Sequence, residues 1–238
     1  MRFFVTNPRS PDALSEVARH LKALRPRVGE TFTLCDGNGT DFTCRVTALD
    51  NGAAQYEIVA ESASLGEPPY ALEIFAAFAK GERLEYTVQK CVELGASAFT
   101  LFPSENVVAR PDAKSLPRKI ERLQAIAQSA AEQCGRGIVP KVRTADTFEA
   151  AITRAATAEL AIFAFEREKS RTLRQLVAEH QNARTISVVT GAEGGFTDVE
   201  ADFAVASGLQ SVTLGTRILR CDTAPIAIAG YIQLTVDN

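Results

Sequence analysis

The chain is poor in the residues from which metal centres and disulfide frameworks are made. It has two histidines, and its five cysteines stand at 35, 44, 91, 134 and 221 with no paired spacing. That scatter argues against a zinc site and more strongly against a disulfide-stapled fold. It suits a reducing, cytoplasmic setting. No run of about 18 apolar residues occurs, so no membrane span is expected. The opening stretch Met1–Pro8 is too short and too polar for a signal peptide. Neither sign of charge dominates: 26 Lys and Arg face 29 Asp and Glu, for a net charge of −3. No global field therefore draws a polyanion, and any such site must be a local patch. Internal repeats and low-complexity segments are also lacking. What is present is an ordinary globular composition, 46% hydrophobic and 23% charged over 238 residues. That suits one large domain or a small one plus a medium one, with a full core.

Composition changes near residue 66. Before it, short β-like runs (Glu30–Cys35, Asp41–Ala48, Ala53–Ala60) alternate with Asp36-Gly37-Asn38-Gly39 and Asp50-Asn51-Gly52, which are hairpin turn signals. This predicts a small β-barrel-like module over residues 1–66, with a short helix near Pro11–Leu24. Gly66-Glu67-Pro68-Pro69 reads as a linker, because Pro-Pro resists helix and sheet alike. From 67 to 238 strands and helices alternate. Leu72–Ala79, Ala98–Phe102, Leu160–Phe165, Thr185–Thr190 and Ser211–Leu214 read as buried parallel strands. Glu82–Leu94, Leu116–Cys134, Arg171–His180, a helix opening at Thr197 and Thr223–Val236 read as helices. Thr197 with Glu200 three residues on forms a capping box. Thr223–Val236 is apolar all round, which implies burial in the core or in a subunit interface.

Two loops carry the functional signal. Gly191-Ala192-Glu193-Gly194-Gly195-Phe196 follows one strand, and Leu214-Gly215-Thr216-Arg217-Ile218-Leu219-Arg220-Cys221-Asp222-Thr223 follows another. In open α/β sheets ligands bind at that end, and glycines let main-chain groups approach a ligand closely. The first loop lacks the spacing of a dinucleotide fingerprint and the Gly-Lys-Ser/Thr of a P-loop. Taken alone, it is equally compatible with a tight strand-to-helix turn exposing Glu193, and the second with a salt-bridged surface turn. Two such loops at neighbouring strand ends, before a buried helix, favour a ligand pocket. The lack of a lysine or metal cluster argues against a phosphate-binding hydrolase. Cys221, between Arg220 and Asp222, reads as an inert packed thiol, and neither His20 nor His180 has a useful neighbour for ligation or base chemistry.

Local basic patches offset the acidic total. Between 110 and 143, Arg110, Lys114, Arg118, Lys119, Arg122, Arg136, Lys141 and Arg143 outnumber Asp112, Glu121 and Glu132. Arg118 and Arg122 are one helical turn apart and share a face. Either this is a solvated helix surface or it tracks phosphates. Arg19, His20, Lys22, Arg25 and Arg27 form a second patch in the β module.

Taken in series, these motifs resemble the 16S rRNA uridine-N3 methyltransferases of the SPOUT superfamily. The resemblance rests on both loops with Glu200 and on Lys80-Gly81 through Gln89-Lys90 to Glu93-Leu94-Gly95. It rests also on Glu132-Gln133-Cys134-Gly135-Arg136 with Pro140, and on His20 through Leu24-Arg25. It implies an N-terminal PUA-like RNA-binding β-barrel and a C-terminal α/β domain tied in a trefoil knot, its parallel sheet flanked by helices. It implies a homodimer acting on 16S rRNA of the small ribosomal subunit, with S-adenosylmethionine as cofactor, held bent by the two loops. Ala164, Phe165, Gly191, Ala192, Glu193, Gly194, Gly195, Leu214, Gly215, Ile218 and Leu219 would bind that cofactor. Arg220 would stabilise an ionised uracil, and Glu193 or Asp222 would accept the proton or orient Arg220. Arg25, Arg27, Lys80, Lys90, Arg118, Arg122, Gln133, Arg136 and Arg217 would contact RNA. No metal is implied. The chain departs from the family pattern at Ala192, where proline is usual, at Asp222, where glutamate is usual, and at Asn106, where arginine is common. The rival expectations are a ribose 2′-O or tRNA-directed enzyme of the same superfamily and a non-catalytic RNA-binding protein.

Overall fold

The computed structural model describes residues 2–10, 12–15, 26–50, 53–108 and 110–236. Most of the helix expected over Pro11–Leu24, together with Arg19, His20, Lys22 and Arg25, lies outside the described residues. The chain divides into two compact units: residues 1–67 with 131–139, and residues 68–130 with 140–238.

The first unit is a four-stranded sheet, ordered β1 (Arg2–Phe4), β2 (Thr31–Cys35), β3 (Thr40–Asp50), β4 (Ala53–Ala63). Strand β1 was not anticipated, since three residues carry no alternation to read. It pairs parallel with β2, while β2–β3 and β3–β4 are antiparallel. Asp36 Oδ1 closes the β2–β3 turn, accepting from the N–H groups of Asn38 at 2.8 Å and Thr40 at 3.1 Å. Inward residues of the alternating strands (Phe32, Leu34, Phe42, Cys44, Val46) meet Phe3, Val5 and Leu14 in one core. Burial pushes the Cys35 thiol up to about 12 and the Cys44 thiol up to about 11, so both are inert packing groups.

Residues 131–139 complete this unit from far along the chain. The Arg136 guanidinium, 3% exposed, donates through Nη2 to Glu67 Oε2 at 2.7 Å. Glu67 Oε1 accepts from the N–H groups of Gly137 and Ile138, each at 3.0 Å. Gly39 N–H donates to the Gly137 carbonyl at 3.2 Å. The backbone is so close here that a Cβ on Gly66 would fall 2.6 Å from the Gly135 carbonyl oxygen. Arg136, expected from sequence to contact RNA, is buried here in its ion pair with Glu67.

The second unit holds a six-stranded, all-parallel sheet in the order β10-β8-β9-β5-β6-β7. Its strands are β5 (Ala71–Ala77), β6 (Ala96–Phe102), β7 (Lys141–Thr144), β8 (Leu160–Ala164), β9 (Thr185–Thr190) and β10 (Gln210–Val212). The helices are α1 (Arg83–Glu93), α2 (Ser115–Cys134), α3 (Phe148–Ala155), α4 (Leu173–Glu179), α5 (Asp198–Ala206) and α6 (Thr223–Val236). The central strands are buried on both faces, as continuous apolar runs require. On one face α6 packs on α1, β5 and β9. On the other, α3 packs on β5, β6, β9 and α5.

Strand β7 and helix α3 were not anticipated. Strand β7 has four residues and only Val142 is buried. The α3 signal was present but short: Thr147 caps the helix by accepting from Ala150 N–H, and Phe148, Ala151, Ile152 and Ala155 are its buried positions. Among the described residues no helix is long and apolar enough to cross a membrane.

Arg136→Ala should destabilise the protein by about 3 kcal/mol, because it leaves the Glu67 carboxylate without its countercharge. A fall in the urea midpoint at unchanged slope would show it. A change below about 0.5 kcal/mol would mean that the pair does not hold residues 131–139 in place.

Candidate active site

A cavity of about 520 Å³ opens at the carboxyl ends of β8, β9 and β10. Strand β8 lies between β9 and β10 in the sheet. The two glycine loops thus leave strands that are not adjacent, contrary to expectation, and they flank the end of β8. Ala164, Phe165 and Glu166 at that end form the wall between them. Seven lining residues come from positions 213–219, and five from 191–195.

The first loop is anchored by its last residue. Phe196 is 2% exposed and sits 4.7 Å from the Phe163 ring and 5.9 Å from Phe148. With that side chain sunk in the core, the five residues before it must double back tightly. A Cβ on Gly194 would fall 2.8 Å from the Asn106 Cβ, and one on Gly195 would fall 2.6 Å from Glu166 Oε1. Gly195 also has φ +65°, which side chains rarely adopt. Asn106 Nδ2 donates to the Gly194 carbonyl at 3.1 Å. Asn106 thus clips the loop. After Phe196 the capping box forms as expected, with Thr197 and Glu200 satisfying each other's N–H groups. Glu200 also accepts from Glu105 N–H at 2.9 Å.

The second loop starts with Thr213, whose hydroxyl accepts from Gly215 N–H at 3.2 Å. It ends where the Arg220 carbonyl accepts from Thr223 and Ala224 N–H at 3.0 and 2.9 Å, which starts α6. Between these points Leu214, Gly215, Ile218, Leu219 and Arg220 all line the cavity, as do Arg217 and Cys221. Every residue assigned from sequence to the small-molecule pocket therefore reaches one cavity. Asp222 adjoins it in sequence and is half-buried.

Two charged lining residues escaped sequence reasoning, Arg83 and Glu166. Arg83 begins α1, just past the Lys80-Gly81 turn. Its position after a strand end was the available signal. Its guanidinium forms an ion pair with Glu193, whose Oε1 also accepts from Lys80 N–H at 3.0 Å. Burial works to raise the Glu193 carboxyl, but these hydrogen bonds and the Arg83 charge outweigh it and hold it below the ordinary carboxylate value. Burial, reinforced by the charges of Glu193 and Asp222, raises the Cys221 thiol, so it is no nucleophile. A third missed feature is Thr190, whose buried hydroxyl lines the cavity and has no hydrogen-bond partner.

The residues expected to touch RNA are more dispersed. Lys80 is exposed beside the Glu193 clamp. Lys90 pairs with Glu93 at 2.8 Å. Arg118 and Arg122 are exposed on α2, Arg122 reaching Glu85 at 2.7 Å. Gln133 and Arg27 are exposed. Among the described residues no group of three or more His, Cys, Asp or Glu could hold a metal ion.

The Glu193 clamp makes a measurable claim. Its folded-state value is depressed, so its contribution to stability is complete above the ordinary Glu value of about 4.3 and is lost as pH falls through the lower folded value. Carbon-detected NMR titration should place the Glu193 midpoint below about 4.3. In Arg83→Ala the midpoint should rise. An unmoved midpoint would show that Arg83 does not hold the carboxylate.

Residues 66–233 match the model of the RNA methyltransferase domain family, and residues 15–59 match that of the RNA methyltransferase PUA domain. A ribosomal RNA small subunit methyltransferase E from Synechocystis is 34% identical over 91% of this chain and 70% of its own length. The enzyme of the same name from Bacillus subtilis is 28% identical over 89% of this chain and 84% of its own length. The crystal structure of another, from Neisseria gonorrhoeae with bound S-adenosyl methionine, superposes with a TM-score of 0.83 at 32% identity, covering 98% of this chain and 96% of that one. The parallel sheet, the glycine-walled cavity at its carboxyl edge and the preceding β module thus agree with the sequence matches, and the chain belongs to the RNA methyltransferase family.

Proposed function

We propose that this protein transfers a methyl group from S-adenosylmethionine to N3 of a uridine in the 16S rRNA of the small ribosomal subunit. The observation that carries this reading is the cavity itself. It opens between two glycine-bearing loops at the carboxyl ends of the strands, and the guanidinium-bearing residues Arg83, Arg217 and Arg220 are among those that line it.

The residues fit such a methyl donor. The unpartnered Thr190 hydroxyl is a buried group in want of a polar ligand. The Gly194–Gly195 turn, packed against Asn106 and Glu166, brings main chain to the cavity. Ala164, Phe165, Gly191 and Leu214 through Leu219 would hold the adenosine part through amides and carbonyls. When bound, the donor supplies an electrophilic methyl on a sulfonium.

Uracil N3 is protonated at neutral pH, so the protein must favour its ionised form. Arg220, exposed at the cavity wall, is placed to stabilise that anion. Glu193 is held ionised by Arg83 and Lys80 N–H and is a poor proton acceptor. Its role is to hold Arg83 at the cavity, and Asp222 is left as the acceptor. The β module over residues 1–66, with Arg25 and Arg27, and the exposed Lys80, Arg118, Arg122, Gln133 and Arg217 would position RNA through phosphates. Residues 67–238 would form the catalytic domain, knotted and paired with a second copy in the cytoplasm.

Arg220→Ala should lower turnover on small subunits from a deletion strain by at least about a hundredfold. Calorimetric affinity for S-adenosylmethionine should stay within a few-fold. N3-methyluridine should vanish from 16S rRNA in that strain and return with the wild-type gene. Absence of donor binding, or a modified atom other than uridine N3, would overturn the assignment.

A further inference from the structure

A second cavity, of about 400 Å³, lies at the carboxyl ends of β6 and β7. Its wall includes Ser104 and Glu105 after β6, Asp146 and Glu149 around the start of α3, and Phe203 on α5. Ser104 is 3% exposed, and its hydroxyl is buried without a hydrogen-bond partner. Phe203 is 37% exposed, with its ring 6.2 Å from Phe148. Resting on the methyl-transfer reading above, we propose that this cavity receives a guanine base of the substrate RNA, within a few nucleotides of the uridine that is modified.

The chemistry selects the base. An ionised carboxylate only accepts hydrogen bonds. Glu105, Asp146 and Glu149 therefore call for a ligand edge rich in N–H donors and repel phosphate. Guanine presents N1–H and the N2 amino group side by side, which one carboxylate can accept together. Uracil presents a single N–H between two carbonyls, and those carbonyls would face the carboxylates. The Ser104 hydroxyl can donate to guanine O6, and the Phe203 ring offers a stacking face. Arg110, the one cation in the wall among the described residues, suits the phosphate of the same nucleotide. Glu200, though it lines this cavity, is already spent on the N–H groups of Thr197 and Glu105.

Placement puts this recess on the same sheet edge as the first cavity. Ser104 lines this cavity, while Asn106, two residues on, clips the glycine loop of the first. In the strand order only β5 separates the strands that end at the two cavities, so a few nucleotides of RNA can span both.

The test uses the full-length protein with GMP and UMP as probes in NMR titrations. GMP should shift the Ser104 and Phe203 resonances and bind at least about tenfold more tightly than UMP. Glu149→Gln and Phe203→Ala should each weaken GMP several-fold. With small subunits as substrate, Phe203→Ala should raise KM about tenfold at unchanged kcat. Unchanged calorimetric affinity for S-adenosylmethionine reports that the variants fold and that the first cavity is intact. Equal binding of GMP and UMP, shifts confined to the α2 arginines, or an arginine peptide displacing GMP from these residues would overturn the proposal. Loss of donor binding by the wild-type protein would instead overturn the methyl-transfer reading.

Discussion

Everything at the site depends on one anchoring contact, the burial of the Phe196 ring between Phe163 and Phe148. A large aromatic sunk in the core fixes the end of a five-residue loop whose start is fixed by strand β9. With both ends held, the intervening main chain passes against Asn106, where a Cβ on Gly194 would collide, and turns through a positive φ at Gly195 that side chains rarely adopt. The result is a wall of amide and carbonyl groups with low conformational freedom, which suits recognition of a ligand by shape rather than by flexible side chains.

Charge is arranged around that wall in two layers. Glu193 is pinned by Arg83 and by Lys80 N–H, so its carboxylate stays ionised and ties the start of α1 to the glycine loop. Arg220 and Arg217 remain at the cavity surface, where a developing negative charge would be met. The same sheet edge carries a second recess of opposite character, acidic where the first is basic. Asn106 and Ser104, two residues apart, address the two recesses in turn.

The comparison of sequence with structure is uneven for physical reasons. Long, strongly patterned segments were readable: the buried strands β5, β8 and β9, the capped start of α5, and the apolar α6. The two glycine loops stood out because their composition is unusual, and the residues in them assigned to the cofactor all line one cavity, while Asp222 does not. Short elements escaped. Strand β1 has three residues and β7 has four, below the length at which alternation can be seen. Helix α3 was masked by its brevity, although its cap and apolar spacing were there. Arg83 and Glu166 escaped because each is remote in sequence from the loop it meets. The burial of Arg136 was not legible, because a basic residue in a basic stretch looks exposed, whereas Glu67 draws it inside.

The order of residues alone determined which of the longer segments are strands and helices, where the chain loses side chains, and which local stretches are basic. Those properties are set by neighbours a few positions apart. Tertiary structure alone decided that β8 separates the two glycine loops, that residues 131–139 complete the first unit, that Glu193 is clamped rather than free, and that a second recess opens beside Ser104. Each of these joins groups tens of residues apart, and such pairings follow from strand order and packing, for which no local pattern codes.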